Sequence, residues 1–301
     1  MTTPDLERTP VTTAALPAPA GTAAGSTARP ARRRDGRLLR LFLPLGLYLL
    51  FTLVPFYWML LFALRPAGSN SLLPWPITTA HFETVWNGMG FSTYFRNSVW
   101  IALLTLLFVT FFALMGGYAL ARFDFRGRKV FMLALLCTQF VPGAMMLIPL
   151  FDIFRTFHLI DSRWSLIVAE TTFQLPLAMI LMSGFVKNVP VELEESAMVD
   201  GCGRLRAFLA VVLPLLRPGI VAVGSFAFIG SWNNFLFALM FLNDPELQTV
   251  PVGLQTTIGE NTVDFGALAA GGVVAAVPVV LVFAVVQKYL VQGMSAGAVK
   301  G

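Results

Sequence analysis

Charged residues are scarce in this chain. Asp, Glu, Lys and Arg make up only 12% of its 301 residues, whereas 56% are hydrophobic. An ordinary soluble domain carries roughly a quarter charged residues. The hydrophobic residues stand in unbroken blocks of about twenty, which is the length that crosses a bilayer as a helix. These features exclude an ordinary water-soluble domain and indicate an integral membrane protein.

Cysteine and histidine are almost absent as well. Cys137 lies in an apolar block and Cys202 in a polar segment, which gives neither a disulfide framework nor metal-ligand spacing. His81 and His158 are far apart, and neither has a cluster of Cys or carboxylate residues around it. The sequence therefore predicts no metal and no cofactor.

Catalytic patterns are also missing from the sequence. It contains no Ser/His, Cys/His or paired-carboxylate constellation that would indicate a membrane enzyme. It has no Gly-x-x-x-x-Gly-Lys-Ser/Thr phosphate loop, and no Gly-Lys pair occurs anywhere. We therefore expect this chain neither to bind nor to hydrolyse ATP.

What the sequence does contain is a polar start followed by six apolar blocks. Residues 1–36 are rich in Ala, Thr and Pro and predict a disordered cytoplasmic tail, with the transmembrane domain over 37–301. The first block is too long for a signal-peptide core and is expected to remain as an anchor. Only helices satisfy their own backbone hydrogen bonds as single segments in lipid, so the prediction is an all-α polytopic protein with six transmembrane helices. The blocks span about 41–64, 98–121, 130–151, 165–186, 217–242 and 265–291.

The distribution of basic residues predicts the orientation. If the amino terminus is cytoplasmic, 17 of the 21 Lys and Arg residues fall inside, and only Arg65, Arg96, Arg155 and Arg163 face outward. The segment from Asn243 to Asp264 has acids but no Lys or Arg, which favours an external position. The net charge of +5 is thus explained by the cytoplasmic membrane rather than by nucleic acid.

The cytoplasmic loop between the fourth and fifth blocks, residues 188–214, predicts two short helices separated by a turn. Asn188 is a candidate cap, and Gly201 and Gly203 are stop signals. Ser196 and Ala197 form a small-residue face beside Glu195, which can pair with a basic residue of a partner. The alternative is an amphipathic connector that lies at the membrane interface.

The same loop carries a family resemblance. Glu195-Ser-Ala197, then Gly201, then Val211-Val-Leu213-Pro214 closely resembles the E-A-A, G, I-x-L-P loop of binding-protein-dependent ABC permeases. Ser196 and Val211 depart from the usual Ala and Ile by modest changes in size. Four further segments look like the MalG-type branch, which imports carbohydrates: 95–98, 117–129, 232–235 and 297–301.

The resemblance implies a place in an ATP-driven importer that moves a sugar by alternating access. Glu195 would contact one subunit of a cytoplasmic ATPase pair, with Ser196 and Ala197 packed in its cleft, Gly201 at the turn and Pro214 at the loop end. Lys300 and Gly301 are weaker candidates for the same contact. The other implied partners are a second homologous permease, an extracytoplasmic solute-binding protein that meets the external segment, and membrane lipid.

Polar residues within the apolar blocks are the candidates for the solute pathway, because polar groups are disfavoured against lipid. They are Gln139, Glu170, Gln174, Asn233 and Asn234. Glu170 is the only acid in a predicted span, and its alternative is a hydrated position near the outer interface. For the amides the alternative is hydrogen bonding between helices.

Two competing functions remain open at this point. Within the ABC class, the solute could instead be a polyamine, a phosphonate or another polar molecule. Outside it, a secondary transporter would be expected to show inverted repeats or several buried acids, which this sequence does not.

Overall fold

The computed structural model describes residues 35–255, 257–258 and 263–297, with side chains placed for Arg40, from Phe42 to Gln255, at 257–258 and from Val263 to Tyr289. Of the predicted tail over 1–36, residues 1–34 lie outside these ranges, as do Glu260, Lys300 and Gly301, whereas Asp35 and Gly36 belong to the first helix. The chain divides into two units, Met1–Phe51 and Thr52–Gly301. The first contains the start of the first helix, whose side chains from Phe42 to Phe51 are exposed. The second contains the remaining elements.

The described residues form thirteen α-helices, joined in places by short 3₁₀ or π turns. They are α1 Asp35–Leu64, α2 Ala80–Glu83, α3 Phe91–Arg122, α4 Arg128–Thr138, α5 Leu147–Thr156, α6 Arg163–Lys187, α7 Val191–Val199, α8 Arg204–Ala207, α9 Leu213–Leu215, α10 Arg217–Trp232, α11 Leu236–Phe241, α12 Val250–Gln255 and α13 Phe265–Gly297.

Four of these helices are long and apolar enough to cross a membrane by themselves. The spans run over Phe42–Leu64 in α1, Phe91–Arg122 in α3, Arg163–Lys187 in α6 and Phe265–Tyr289 in α13. Two bent helix pairs bring the number to six if each pair counts as one span. The prediction of an all-α polytopic membrane protein is confirmed.

The third predicted span, 130–151, is not one straight helix. Arg128–Thr138 and Gly143–Thr156 meet at an angle of 89°. The break falls where extended backbone at Pro142 follows a turn and precedes Gly143. Proline lacks the N–H group for one helical hydrogen bond and disfavours the helical conformation of the residue before it. The helix is therefore interrupted at this position.

The fifth predicted span, 217–242, also differs from the expectation of one helix. α10 ends at Trp232 and α11 starts at Leu236, with non-helical backbone between them. On its other side, the helical run Arg204–Leu215 joins Arg217–Trp232 with a bend of 73°. The bend comes just after Leu216, two residues beyond Pro214, and Pro218 stands in the first turn of α10. α10, the main helix of this span, is therefore bounded by a break in the helical backbone at each end.

α3 is the central helix of the second unit. It contributes residues to all three buried hydrophobic clusters: Val109 and Ala113 to one, Phe91 and Ala102 to another, and Ile101 to the third. The first cluster adds residues from α6 and α10, the second adds α10 and α13, and the third adds α6 and α11. α3 thus contributes to every cluster, and α6 and α10 are the helices that pack most extensively on it.

Candidate coupling site and solute pathway

α7 is a nine-residue helix with well-defined ends. It follows Pro190 in extended backbone rather than the predicted cap Asn188, which belongs to the carboxyl end of α6. At the other end, Cys202 N–H donates to Ala197 O at 3.0 Å and Gly201 N–H donates to Met198 O at 3.1 Å. This is a Schellman motif, which satisfies the last carbonyl groups of the helix.

Gly201 is the residue that permits this turn, because its φ is +88°. We expect Gly201→Ala to lower the free energy of unfolding by about 1–2 kcal/mol, since an L side chain is strained in the left-handed region. Gly203→Ala is the matched control, because the backbone at Gly203 is extended and no atom of the described residues beyond its chain neighbours lies within 4 Å of the added carbon. Thermal unfolding in mild detergent should separate the two variants, and equal midpoints would contradict the prediction.

The inner face of α7 is fastened to the end of α3 by a buried ion pair. Arg122 Nε donates to Glu194 Oε2 at 3.1 Å, and Arg122 Nη2 donates to Val189 O at 2.8 Å. The Tyr118 hydroxyl donates to the other oxygen of Glu194. Glu194 is only 4% exposed. A buried carboxylate bound in this way fixes both the position and the rotation of α7.

Aromatic contacts extend this attachment to the next helix. The ring of Tyr118 meets that of Phe208, just after α8, with centroids 4.7 Å apart. The guanidinium of Arg204 lies 5.2 Å from the centroid of the Phe123 ring. Sequence reasoning missed Arg122 and Glu194 as a pair, and the only available signal was a basic residue at the end of a span with an acidic loop later in the chain.

The predicted coupling residues lie on the exposed side of α7 or further along the same loop. Glu195 and Ser196 are exposed, and Ala197 is half-buried. The Ser196 hydroxyl donates to Glu192 O at 2.7 Å, so it is satisfied within its own helix. Gly201 is exposed at the turn, and Pro214 is exposed inside the helical run that leads to α10. The structure thus brings Glu195, Ser196 and Gly201 to one short exposed element, with Pro214 at the far end of the loop.

Glu170 lies where α3, α6 and α10 meet. It is 2% exposed, so the alternative of a hydrated position at the outer interface is wrong. Its Oε2 accepts a hydrogen bond from the Thr105 hydroxyl at 3.2 Å, and the Ser231 hydroxyl donates to the same oxygen. A carboxyl group held by hydroxyl groups of two other helices ties the three helices together in the interior.

Gln174 lies one turn further along α6, against Gly230 of α10. A side-chain carbon added to Gly230 would come within 2.7 Å of Gln174 Oε1, which shows how closely the amide packs on that helix. Gln174 Oε1 is buried and has no hydrogen-bond partner among the described residues. Most buried polar atoms have a partner, so an unpaired amide oxygen stands out as an acceptor for a donor group.

The remaining pathway candidates stand at helix breaks. Gln139 is exposed and follows the last residue of α4. Asn233 is exposed and donates to Ile229 O at 3.0 Å. Asn234 Oδ1 accepts from Phe237 N at 3.1 Å and so caps the start of α11. The two asparagines therefore satisfy backbone groups at the break in the fifth span, as side chains at interrupted membrane helices do.

The external segment is attached to the other end of α3. Asn97 Nδ2 donates to Glu246 O at 2.8 Å and to Gln248 O at 2.9 Å. Asn97 Oδ1 accepts from Arg163 Nε at 3.1 Å, and Ser98 Oγ accepts from Val250 N at 2.8 Å. Arg163 and the external segment, which orientation by charge places on the same side, are thus both hydrogen-bonded to Asn97.

This helical polytopic protein, with polar groups inside its bundle and a short helical element beyond its spans, belongs to the class of membrane transport permeases, as the family comparison shows. Residues 110–296 match the model of the family described as binding-protein-dependent transport system inner membrane component. The chain belongs to this family, and it is a multi-pass protein of the inner membrane.

Two relatives match more than four fifths of the chain. The diacetylchitobiose uptake system permease protein DasC of Streptomyces coelicolor is 38% identical over 82% of this chain and 91% of the relative. The trehalose transport system permease protein SugB of Mycobacterium tuberculosis is 32% identical over 83% of this chain and 93% of the relative.

A solved structure has the same fold. It is a chain from the crystal structure of a bacterial ABC transporter involved in the import of the acidic polysaccharide alginate. The match has a TM-score of 0.74 at 24% identity and covers 87% of this chain and 99% of that chain.

Proposed function

We propose that this chain is one of two permease subunits in an ATP-driven importer that moves a sugar across the cytoplasmic membrane. Permeases for diacetylchitobiose and trehalose are similar over more than four fifths of the chain, which supports a sugar rather than a polyamine or a phosphonate. ATP hydrolysis belongs to a separate pair of cytoplasmic subunits. The pair has two docking positions and this chain supplies one coupling loop, so a second, homologous permease completes the assembly.

The observation that carries the proposal is the two-faced geometry of α7. Glu194 fixes its inner face to Arg122, while Glu195 and Ser196 are exposed on the opposite side. A helix held in this way transmits a displacement, whereas a flexible loop would absorb it. Glu195 is the polar contact with the ATPase, Ser196 and Ala197 allow close approach, and Gly201 and Pro214 delimit the element.

Glu195→Lys is expected to abolish recovery of the ATPase when the permease is purified in mild detergent. The new charge would oppose a basic partner residue, and juxtaposed like charges at an interface cost several kcal/mol. Glu192→Lys is the matched control, because Glu192 is exposed on the same helix but outside the coupling motif. Mass spectrometry identifies the copurified subunits. Retention of the ATPase by Glu195→Lys, or equal loss in the two variants, would reject the coupling role.

The solute is tested separately by uptake into proteoliposomes that contain the assembled importer and its solute-binding protein. Labelled diacetylchitobiose and trehalose are the probes, and spermidine is the contrasting polar solute. ATP-dependent uptake of either sugar supports the proposal. Uptake of spermidine alone would assign the importer to another solute class.

Within the membrane, the solute pathway passes polar residues of α6 and polar residues that follow the ends of α4 and α10. Gln174 has the strongest support, because its buried Oε1 has no hydrogen-bond donor among the residues that the structure describes, and a sugar hydroxyl is such a donor. Glu170 supports the pathway indirectly, because its hydrogen bonds hold three helices together. Gln139, Asn233 and Asn234 lie at breaks where exposed polar groups line the route.

The external segment, from Asn243 onward, is the contact for the solute-binding protein. The side chains of Asn97 and Ser98 hold its backbone at Glu246, Gln248 and Val250. The exposed side chain of Glu246 is thereby presented to a partner, beside Asp244, which caps the turn at this point.

A further inference from the structure

The two partner-facing parts of the chain are attached to opposite ends of the same helix. The external segment is bound to α3 at Asn97 and Ser98, and α7 is bound to α3 at Tyr118 and Arg122. Asn97 and Arg122 are about 37 Å apart along the axis, at 1.5 Å per residue. That distance exceeds the hydrocarbon thickness of roughly 30 Å, so the two attachments lie on opposite sides of the membrane.

Both attachments are buried and made of side chains that bind more than one group. Asn97 is 1% exposed and makes three hydrogen bonds to the external segment and to Arg163. Glu194 is bound by both Arg122 and Tyr118. Buried polar networks of this kind are expensive to break, so movement of either partner-facing part must move α3 rather than slide along it.

α6 reinforces α3 along the whole distance. Arg163, the first residue of α6, binds Asn97 at the outer end, and Arg122 binds Val189 O just beyond the last residue of α6 at the inner end. Between these ends the helices approach closely: a side-chain carbon on Gly117 would lie 2.9 Å from the backbone nitrogen of Ser183. Closely packed interiors transmit strain. The pair is thus a rigid body with a polar attachment at each end.

We propose that α3, braced by α6, carries the docking signal from the solute-binding protein outside to the ATPase contact inside, with Asn97 and Glu194 as the positioning residues at its two ends. This inference rests on the proposed function, because it requires an ATPase partner at α7 and a binding protein at the external segment. It goes further by identifying the element that links them and the residues that attach it.

The test measures ATP hydrolysis by the complete importer in lipid nanodiscs, with and without solute-binding protein loaded with whichever sugar drives uptake. We compare Asn97→Ala and Glu194→Gln with the wild type at equal amounts of assembled complex, and the readout is the stimulation ratio, which is hydrolysis with the loaded binding protein divided by hydrolysis without it. Stimulation by the loaded binding protein should fall at least about fivefold in each, as loss of a typical coupling between two sites predicts. A role in stability alone would lower the amount of complex and leave the stimulation ratio unchanged.

Matched controls exist on each side of the membrane. Asn87→Ala removes an exposed asparagine from the external side, and Asp124→Asn disrupts the exposed ion pair with Arg128 on the cytoplasmic side. Both should keep full stimulation. If the two attachments act in series through α3, the double variant Asn97→Ala/Glu194→Gln should lose no more stimulation than the single variant with the larger loss. Losses that multiply would indicate independent routes and would overturn the proposal.

The outcomes separate this inference from the function on which it rests. A wild-type permease that recovers no ATPase, or shows no stimulation, rejects the proposed function itself. A stimulated wild type with normal stimulation in either variant overturns the α3 link alone. If Asn97→Ala and Glu194→Gln prevent assembly, the smaller changes Ser98→Ala and Tyr118→Phe replace them, because each removes only one hydroxyl from an attachment. Unchanged stimulation in both of these variants would also overturn the link.

Discussion

Replacing Arg122 with leucine is expected to destabilise the permease by about 3–5 kcal/mol, the range measured when one partner of a buried ion pair is removed. The loss leaves the Glu194 carboxylate 4% exposed with only the Tyr118 hydroxyl as a donor, and it takes the Nη2 donor away from Val189 O. The measurement is the midpoint of thermal unfolding of the purified protein in mild detergent, together with the yield of folded protein.

Arg128→Leu is the control for this prediction. Arg128 pairs with Asp124 at 2.6 Å on the same side of the membrane, but Asp124 is 97% exposed, and exposed pairs contribute roughly 0–1 kcal/mol. The double variant Arg122→Leu/Glu194→Leu should recover much of the stability, because apolar replacement of both members removes the buried charge. Equal destabilisation by Arg122→Leu and Arg128→Leu would show that the buried pair has no special role.

The Arg122–Glu194 pair also shows where sequence reasoning stops. The sequence places acids at both 194 and 195 and does not indicate which of them is buried. In the structure Glu194 is buried, while the apolar Val191 and Leu193 are 41% and 44% exposed. α7 is too short for periodicity to set its rotation, and a contact with a residue 72 positions earlier sets it instead.

Turn chemistry was easier to predict than helix breaks. Gly201 was expected to end a short helix, and its φ of +88° within a Schellman motif is consistent with that interpretation. The positions of the prolines do not predict the helix breaks, because Pro176 and Pro278 lie inside continuous helices, whereas the helical backbone is interrupted at Pro142. Whether a proline breaks a membrane helix depends on neighbouring helices that satisfy the freed backbone group, and these are set by tertiary packing.

Glu170 illustrates the same limit inside the membrane. Its presence in an apolar block marks it as unusual, but the sequence alone also allows a hydrated position near the outer interface. Thr105 and Ser231 decide the matter, since they come from helices 65 and 61 residues away in sequence. A single sequence contains the three polar residues but not the packing that brings them together.

The close approach of α3 and α6 leads to the last prediction, which concerns Gly117. A side-chain carbon at this position would lie 2.8 Å from Met182 Cβ and 2.9 Å from the backbone nitrogen of Ser183. Because the second atom is backbone, no rotamer change relieves the clash. Gly117→Ala should therefore push the helices apart and cost about 1–3 kcal/mol or more, as overpacking of a tight interior does.

Gly184→Ala is the matched control, because Gly184 is on α6 near the same contact and an added carbon there meets nothing within 4 Å. Alanine is a better helix former than glycine by about 1 kcal/mol, so this variant should be neutral or slightly more stable. The thermal midpoints in detergent should thus move in opposite directions. If Gly117→Ala unfolds at the wild-type temperature, α3 and α6 are not as closely packed as the structure has them, and the rigid pair that links the two sides of the membrane loses its physical basis.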